Sequence, residues 1–156
     1  MRVGIGYDSH RLVSGRPLII GGVRLPHEKG LLGHSDGDVL CHSIIDALLG
    51  AGGLGNIGNL FPDTDKRWKD ADSILLLKSV VEMVKAAGFE ITWIDCVIIA
   101  EKPKLSPHMD SMKNRLSTAG IQANNINIKA KTNEGMGFIG KEEGIVALTT
   151  CLLTKI

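Results

Sequence analysis

Two residue types that bind transition metals stand two apart near the N-terminus, in Asp8-Ser9-His10. On an extended strand, side chains at i and i+2 share a face with Cα atoms roughly 7 Å apart, so a carboxylate and an imidazole can converge on one cation. A second imidazole, His42, falls in a helical pattern with Asp38 and Asp46 one turn to either side. Each fragment alone reads as a capped strand end or a solvated helix face. Together, Asp8, His10 and His42 make a two-imidazole, one-carboxylate set with a fourth tetrahedral position open. Catalytic zinc has that arrangement, whereas structural zinc is closed by four protein ligands. Asp46 is expected to orient His42 or to approach a water.

A polar loop, Gly33-His34-Ser35-Asp36-Gly37-Asp38, leads into the same helix. Free N–H groups at a helix N-terminus attract anions, and His34 and Ser35 add side-chain donors, so phosphate is the expected guest. A glycine turn with a Ser/Asp cap accounts for Gly37 and Asp38 equally well. No Ser/His/Asp or Cys/His arrangement for nucleophilic catalysis stands out.

The elements that must position these residues follow from periodicity. Val3, Ile5 and Tyr7 alternate with Arg2, Gly4 and Gly6, a period-two strand ending at the Asp8–His10 pair. Leu18–Ile20 and Val23–Leu25 flank Gly21-Gly22, a hairpin signature. From Asp38, the stripe Val39, Leu40, Ile44, Ile45, Leu48 and Leu49 predicts a helix that dissolves into a loop over Gly50–Gly58. A second helix is expected from Ala71 to Ala87 with Asp70 as N-cap, and a third begins at Ser106-Pro107 and stops at Gly120. Ile91–Ala100, Ile126–Lys131 and Ile145–Leu153 read as strands. Trp68 and Trp93 read as packing residues, His27 and His108 as exposed. The order β, hairpin, α, α, β, α, β, β fits an α/β (α+β) fold, a mixed sheet with helices on one face. The last strand is apolar on both sides, which predicts that another subunit covers the free face.

Bulk properties narrow the function classes. The 156 residues suit one domain over 1–156. A net charge of +1 and an aromatic content of 4% argue against a nucleic-acid partner or an anionic membrane surface. Cys41, Cys96 and Cys151 lie in apolar stretches without metal-type spacing, as reduced thiols of a cytoplasmic protein would. No apolar run reaches the roughly 20 residues of a spanning helix.

Taken in order, Gly6–His10, Gly33–Asp38, Phe61-Pro62-Asp63-Thr64-Asp65 and Lys129 through Phe138 closely resemble the methylerythritol cyclodiphosphate synthases. The resemblance runs from Met1 to the last strand. It implies conversion of 4-diphosphocytidyl-2-C-methyl-D-erythritol 2-phosphate to 2-C-methyl-D-erythritol 2,4-cyclodiphosphate and CMP, a phosphorus-oxygen lyase reaction of the non-mevalonate isoprenoid pathway. It also implies a homotrimer with sheets lining a central axis and active sites between subunits. Asp8, His10 and His42 become ligands of Zn²⁺ or another divalent transition metal, and Glu134 the carboxylate for Mg²⁺ or Mn²⁺. His34 and Thr132 become the residues that stabilise the phosphate under attack. The Phe61–Asp65 loop with Ser35 resembles the pocket for the methylerythritol phosphate part. Ala100–Ser106, with Lys102-Pro103-Lys104, resembles the cytidine pocket. Asp46, Ile57, Gly58, Asn133 and Phe138 join the expected substrate-binding set. Three positions in that set depart from the family pattern: Asn56 stands where many members carry Asp, Lys131 where Thr is frequent, and Lys141 where some carry an Arg facing the central cavity. Lysine lacks Arg's bidentate fork. The nearest rival activity is a zinc-dependent phosphate ester or diphosphate hydrolase with Asp46 or Asp38 directing water.

Overall fold

Alternation of small and large residues carries β1, Arg2–Ser14, past the expected end at His10 for thirteen residues in all. In this computed structural model, which describes residues 1–156, a hairpin follows as β2 (Leu18–Ile20) and β3 (Val23–Leu25), with Gly21 and Gly22 at φ 59° and 71°. Only glycine adopts two such conformations in succession without strain. A short strand β4, Lys29–Leu31, pairs with the end of β1 and was not visible in the pattern, three residues being too few for a period. Next come α1 (Val39–Gly52), the single turn α2 (Ile57–Leu60), α3 (Ser73–Ala86) and β5 (Phe89–Ile99). After a 3₁₀ turn at Ser106–His108, α4 covers Met109–Ser117, followed by β6 (Ile126–Lys131), the turn α5 (Gly137–Gly140) and β7 (Gly144–Lys155).

The main sheet runs β4-β1-β7-β5-β6, with β5 and β6 parallel and the other neighbours antiparallel. It is the expected mixed sheet with helices on one face. On that face a 36-residue apolar core joins α1, α3 and α4 to Ile94, Cys96, Ile98, Ile126 and Ile128 of the sheet. Gly4 and Gly6 set how closely α1 can lie. A Cβ on Gly4 would come within 1.9 Å of the Ala47 carbonyl oxygen, and one on Gly6 within 1.9 Å of that of Ser43. The two positions next in register on that face of β1 are Asp8 and His10, so the helix that glycine admits also brings His42 to them.

The opposite sheet face is apolar and bare: Val3, Ile5 and Tyr7 are 74%, 67% and 56% exposed. Trp93 lies open rather than packed, while His27 and His108 are partly buried rather than exposed.

Caps correct the expected boundaries. Asp72, not Asp70, caps α3 by accepting from the Ile74 N–H at 2.9 Å. Asp70 adopts φ 57° and donates its N–H to the His34 carbonyl, which takes it out of the helix. Gly50 stays inside α1, which Gly53 ends in a left-handed cap. Asp38 is fully buried and is not part of a solvated face. Its carboxylate accepts from the N–H groups of Gly21, Gly22 and Cys41, tying the hairpin turn to the start of α1. Burial, then the charge of Asp36, raise its carboxyl above the usual range against those three donors.

Candidate metal centre

Three ligand atoms converge where β1 meets α1. Asp8 Oδ2 lies 2.7 Å from His10 Nε2 and 3.2 Å from His42 Nδ1, and the two nitrogens are 3.1 Å apart. Zinc bonds of about 2.1 Å at tetrahedral angles place neighbouring ligand atoms about 3.4 Å apart. The triangle is close to that size, and one cation fits above it with its remaining position open.

The two imidazoles are presented by opposite nitrogens, each held from behind. His10 Nδ1–H donates to the Leu32 carbonyl at 2.7 Å, which leaves Nε2 to face Asp8. His42 turns Nδ1 toward Asp8 and its Nε2 toward two hydroxyls, Ser73 Oγ at 2.9 Å and Ser35 Oγ at 3.1 Å. Burial alone would raise the Asp8 pKa, but hydrogen bonds and charge from His10 and His42 outweigh it and hold it below the ordinary range. For His10, burial pulls downward, but the hydrogen bond and charge of Asp8, with the Leu32 carbonyl and the charge of Asp38, together outweigh it, so its pKa is raised. Both shifts express one fact: the pocket stabilises positive charge beside Asp8.

Around this triangle the other sequence candidates separate into two groups. His34 Nε2–H donates to the Asp65 carbonyl at 2.9 Å, binding the Gly33–Asp38 loop to Phe61, Pro62, Asp63, Thr64 and Asp65. Phe61 packs edge-on to Trp68 with ring centroids 5.0 Å apart. Asp46 makes no hydrogen bond to His42. Its Oδ1 accepts from the Ile57 N–H at 2.7 Å, fixing the Asn56-Ile57-Gly58 turn, where Asn56 caps α2 through the Asn59 N–H. Phe138 lies beside Ser9 and His10 in a 200 Å³ hollow.

The second group is across the sheet. Ala100, Lys102, Pro103, Lys104, Lys131 and Thr132 line a 470 Å³ cavity at the ends of β5 and β6. Strands β1 and β6 are three spacings apart with β7 and β5 between them, which is about 14 Å. Thr132 and Glu134 therefore do not join the Asp8 triangle within one chain. Glu134 is exposed with φ 54°, and its N–H donates to Thr132 Oγ1 at 3.3 Å. Lys141 is exposed, and Lys102 pairs with Glu142 at 3.1 Å.

Sequence reasoning missed Ser73, Asp36 and Glu101. Glu101 Oε1 accepts from the N–H groups of Asn133 at 2.7 Å and Gly135 at 3.3 Å, so one carboxylate shapes the turn that carries Thr132 and Glu134. Asn133 Nδ2 closes that turn on the Met136 carbonyl at 2.8 Å. Partners 32 and 34 residues away leave no local signal.

Comparison with known proteins assigns the chain to a family. A sequence profile of the YgbB family matches residues 1–154. The 2-C-methyl-D-erythritol 2,4-cyclodiphosphate synthase of Clostridium botulinum is 57% identical over 154 residues, 98% of this chain and 99% of the relative. The protein of the same name from a Geobacillus species is 57% identical over 155 residues, covering 99% and 98%. A solved 2C-methyl-D-erythritol-2,4-cyclodiphosphate synthase in its CDP-bound form superposes with a TM-score of 0.89 at 40% identity, over 98% of this chain and 100% of that one. The bifunctional IspDF of Campylobacter jejuni superposes with a TM-score of 0.95 at 42% identity over 99% of this chain, which spans 42% of that longer protein. With a profile match over nearly its whole length and relatives at this identity, the chain belongs to the YgbB family.

Proposed function

We propose that this protein is a cyclising, CMP-releasing phosphorus-oxygen lyase. It converts 4-diphosphocytidyl-2-C-methyl-D-erythritol 2-phosphate to 2-C-methyl-D-erythritol 2,4-cyclodiphosphate in the non-mevalonate isoprenoid pathway. The observation that carries this reading is the Asp8–His10–His42 triangle, with sides of 2.7–3.2 Å, in a chain whose full-length relatives carry the synthase name.

In the reaction, a 2-phosphate oxygen forms a bond to the β-phosphorus while the bond from that phosphorus to the CMP oxygen breaks. The nucleophile is already anionic, so no side-chain base is needed; alignment and charge neutralisation are the demands. Zinc, or another divalent transition metal, at Asp8, His10 and His42 supplies Lewis-acid polarisation, and Mg²⁺ or Mn²⁺ at Glu134 supplies neutralisation of the diphosphate. Ser35 and the Phe61–Asp65 loop hold the methylerythritol phosphate end. His34 spends its Nε2–H on the Asp65 carbonyl, which leaves Nδ1 as the ring nitrogen free for a phosphate contact. Thr132 Oγ1 accepts from Glu134 N–H, leaving its own proton for a phosphate oxygen. Backbone groups of Ala100–Ser106, with Lys104 and Lys131 at the rim, bind the cytidine diphosphate, and Asn56 meets the ribose.

The same reading makes the protein a homotrimer. The bare apolar row of Val3, Ile5 and Tyr7 supports a sheet face covered by other copies. The separation of about 14 Å between β1 and β6 supports a site completed by the Thr132 and Glu134 of a neighbour.

A zinc hydrolase would need a carboxylate to direct water. Asp38 is fully buried under three backbone donors and Asp46 is engaged by Ile57, so neither suits that role. Incubating the protein with the diphosphocytidyl substrate decides the matter by phosphorus NMR. The cyclic diphosphate and CMP are expected, and a linear phosphate product would establish hydrolysis instead.

A further inference from the structure

The metal reading requires His42 to offer Nδ1, and nothing in the backbone enforces it. His10 is fixed by the Leu32 carbonyl, a main-chain acceptor, but His42 Nε2 meets only hydroxyl groups. A hydroxyl can donate or accept, so by itself it does not choose a tautomer.

Asp36 removes the ambiguity. Its Oδ1 takes the Ser73 hydroxyl proton at 2.5 Å, and its Oδ2 takes the Ser73 N–H at 3.0 Å. Its Oδ1 also accepts from the Asp38 N–H at 3.1 Å, which pins it to the entry of α1. A serine whose only hydroxyl proton is given to a carboxylate can present nothing but a lone pair to a third partner. The geometry points to a one-way relay, His42 Nε2–H to Ser73 Oγ–H to the Asp36 carboxylate. It fixes His42 in the Nε2-protonated form, with Nδ1 bare toward the cation site, and makes Ser73 and Asp36 positioning residues for metal capture.

The relay has a second effect. Ser35 Oγ lies on the same nitrogen at 3.1 Å and also accepts weakly from the Gly37 N–H at 3.4 Å. Because Nε2 already carries its hydrogen, Ser35 has no acceptor there for its own proton, which stays available to an anionic guest. One carboxylate thus orders a metal ligand and keeps a donor free one residue away. Ser73 sits at the first position of α3, fully buried, so the relay also joins the entries of α1 and α3.

The test uses an isosteric pair on the full chain, Ser73→Thr against Ser73→Val. Both carry the same branched shape and any shared packing cost, and only threonine keeps the hydroxyl. Zinc affinity is read by competition with a chromophoric chelator, and CDP affinity by calorimetry as an internal control. Outer-shell partners of metal-ligating histidines typically contribute 10–100-fold in metal affinity. The valine variant is expected to bind zinc ~10–100-fold more weakly than the threonine variant, with equal CDP affinity and a lower melting temperature, because valine leaves the Asp36 carboxylate and His42 Nε2–H without their hydroxyl partner. Equal zinc affinity in the two variants overturns the relay. Should neither variant fold, nitrogen-15 long-range spectra of the zinc-loaded wild type decide. A slowly exchanging His42 Nε2–H sustains the relay, and a rapidly exchanging or absent one overturns it. Failure of the wild type to take up zinc is a different result, and it removes the metal reading on which this inference rests.

Discussion

The two halves of the site are built from different materials. At the Asp8 triangle, side chains do the work, and each imidazole has a second partner behind it: Leu32 behind His10, Ser73 and Ser35 behind His42. At the Ala100–Thr132 cavity the wall is the Ala100–Ser106 loop with the end of β6, the rim side chains Lys104 and Lys131 are exposed, and the ordering contact comes from Glu101. The first half is a rigid receptor packed between β1 and α1; the second is a turn and a loop at the end of an edge strand. What each can lose without harming the other separates the proposed capture of charge from the proposed capture of nucleotide.

The largest effect should come from removing one corner of the triangle. His42→Ala is expected to abolish tight zinc binding and lower turnover by at least ~10³-fold, since two remaining ligands cannot hold the ion in geometry. CDP affinity should stay within about threefold if the halves are energetically separate. Full zinc occupancy in the soluble variant, measured by elemental analysis, would remove His42 from the ligand set. Prolonged chelation of the wild type should reproduce the same pattern, restored by added zinc.

Thr132→Ala probes the other half at the residue proposed to meet the reacting phosphate. Loss of one preorganised phosphate donor typically costs about 10²–10³ in turnover. CDP binding should weaken far less. An unchanged catalytic rate eliminates Thr132 from the reaction.

Asp38→Ala tests whether the rigidity of the metal half comes from the fold rather than from the ion. The change strands the N–H groups of Gly21, Gly22 and Cys41 and deletes the α1 cap. A loss of about 3 kcal/mol is expected, allowing for relaxation of the hairpin. In a chain of this size that is roughly 6–12 °C in melting temperature, read in zinc-free buffer. An unchanged melting point would place the anchorage of α1 elsewhere.

The same contrast explains what the amino-acid sequence made legible. The triangle could be read because its members are rare residue types at diagnostic positions, two on one strand face and one on a helix whose apolar stripe fixed its orientation. The sheet, the hairpin and three helices followed from period and glycine placement. Asp46 was misassigned because spacing along a helix shows which residues are neighbours, not whether a more distant N–H, here Ile57, has the stronger claim. Asp38 looked solvated because its three donors include two from a hairpin 16 and 17 residues away. Ser73 and Glu101 stayed hidden for the same reason: their partners are set by tertiary packing, and neither residue type is unusual where it stands. The N-cap of α3 slipped from Asp70 to Asp72 because both are good caps, and the choice was made by the His34 carbonyl, which draws the Asp70 N–H out of the helix.

Glu101 offers the mirror image of the first prediction at smaller amplitude. Its Oε1 holds the N–H groups of Asn133 and Gly135, and through them the left-handed Glu134 between. Glu101→Ala frees both donors, but the turn is solvent-accessible, so water replaces the lost acceptor and the fold should lose only about 1 kcal/mol. The loss should appear as disorder of residues 132–135, hence a roughly tenfold weaker CDP affinity, with zinc affinity at Asp8, His10 and His42 unchanged. Glu101→Gln keeps an acceptor oxygen in the same place and should recover most of the binding. Were the alanine variant to lose zinc as well as CDP, the turn and the triangle would be coupled through the subunit that joins them. The two halves would then have to be treated as one cooperative site rather than as separate receptors.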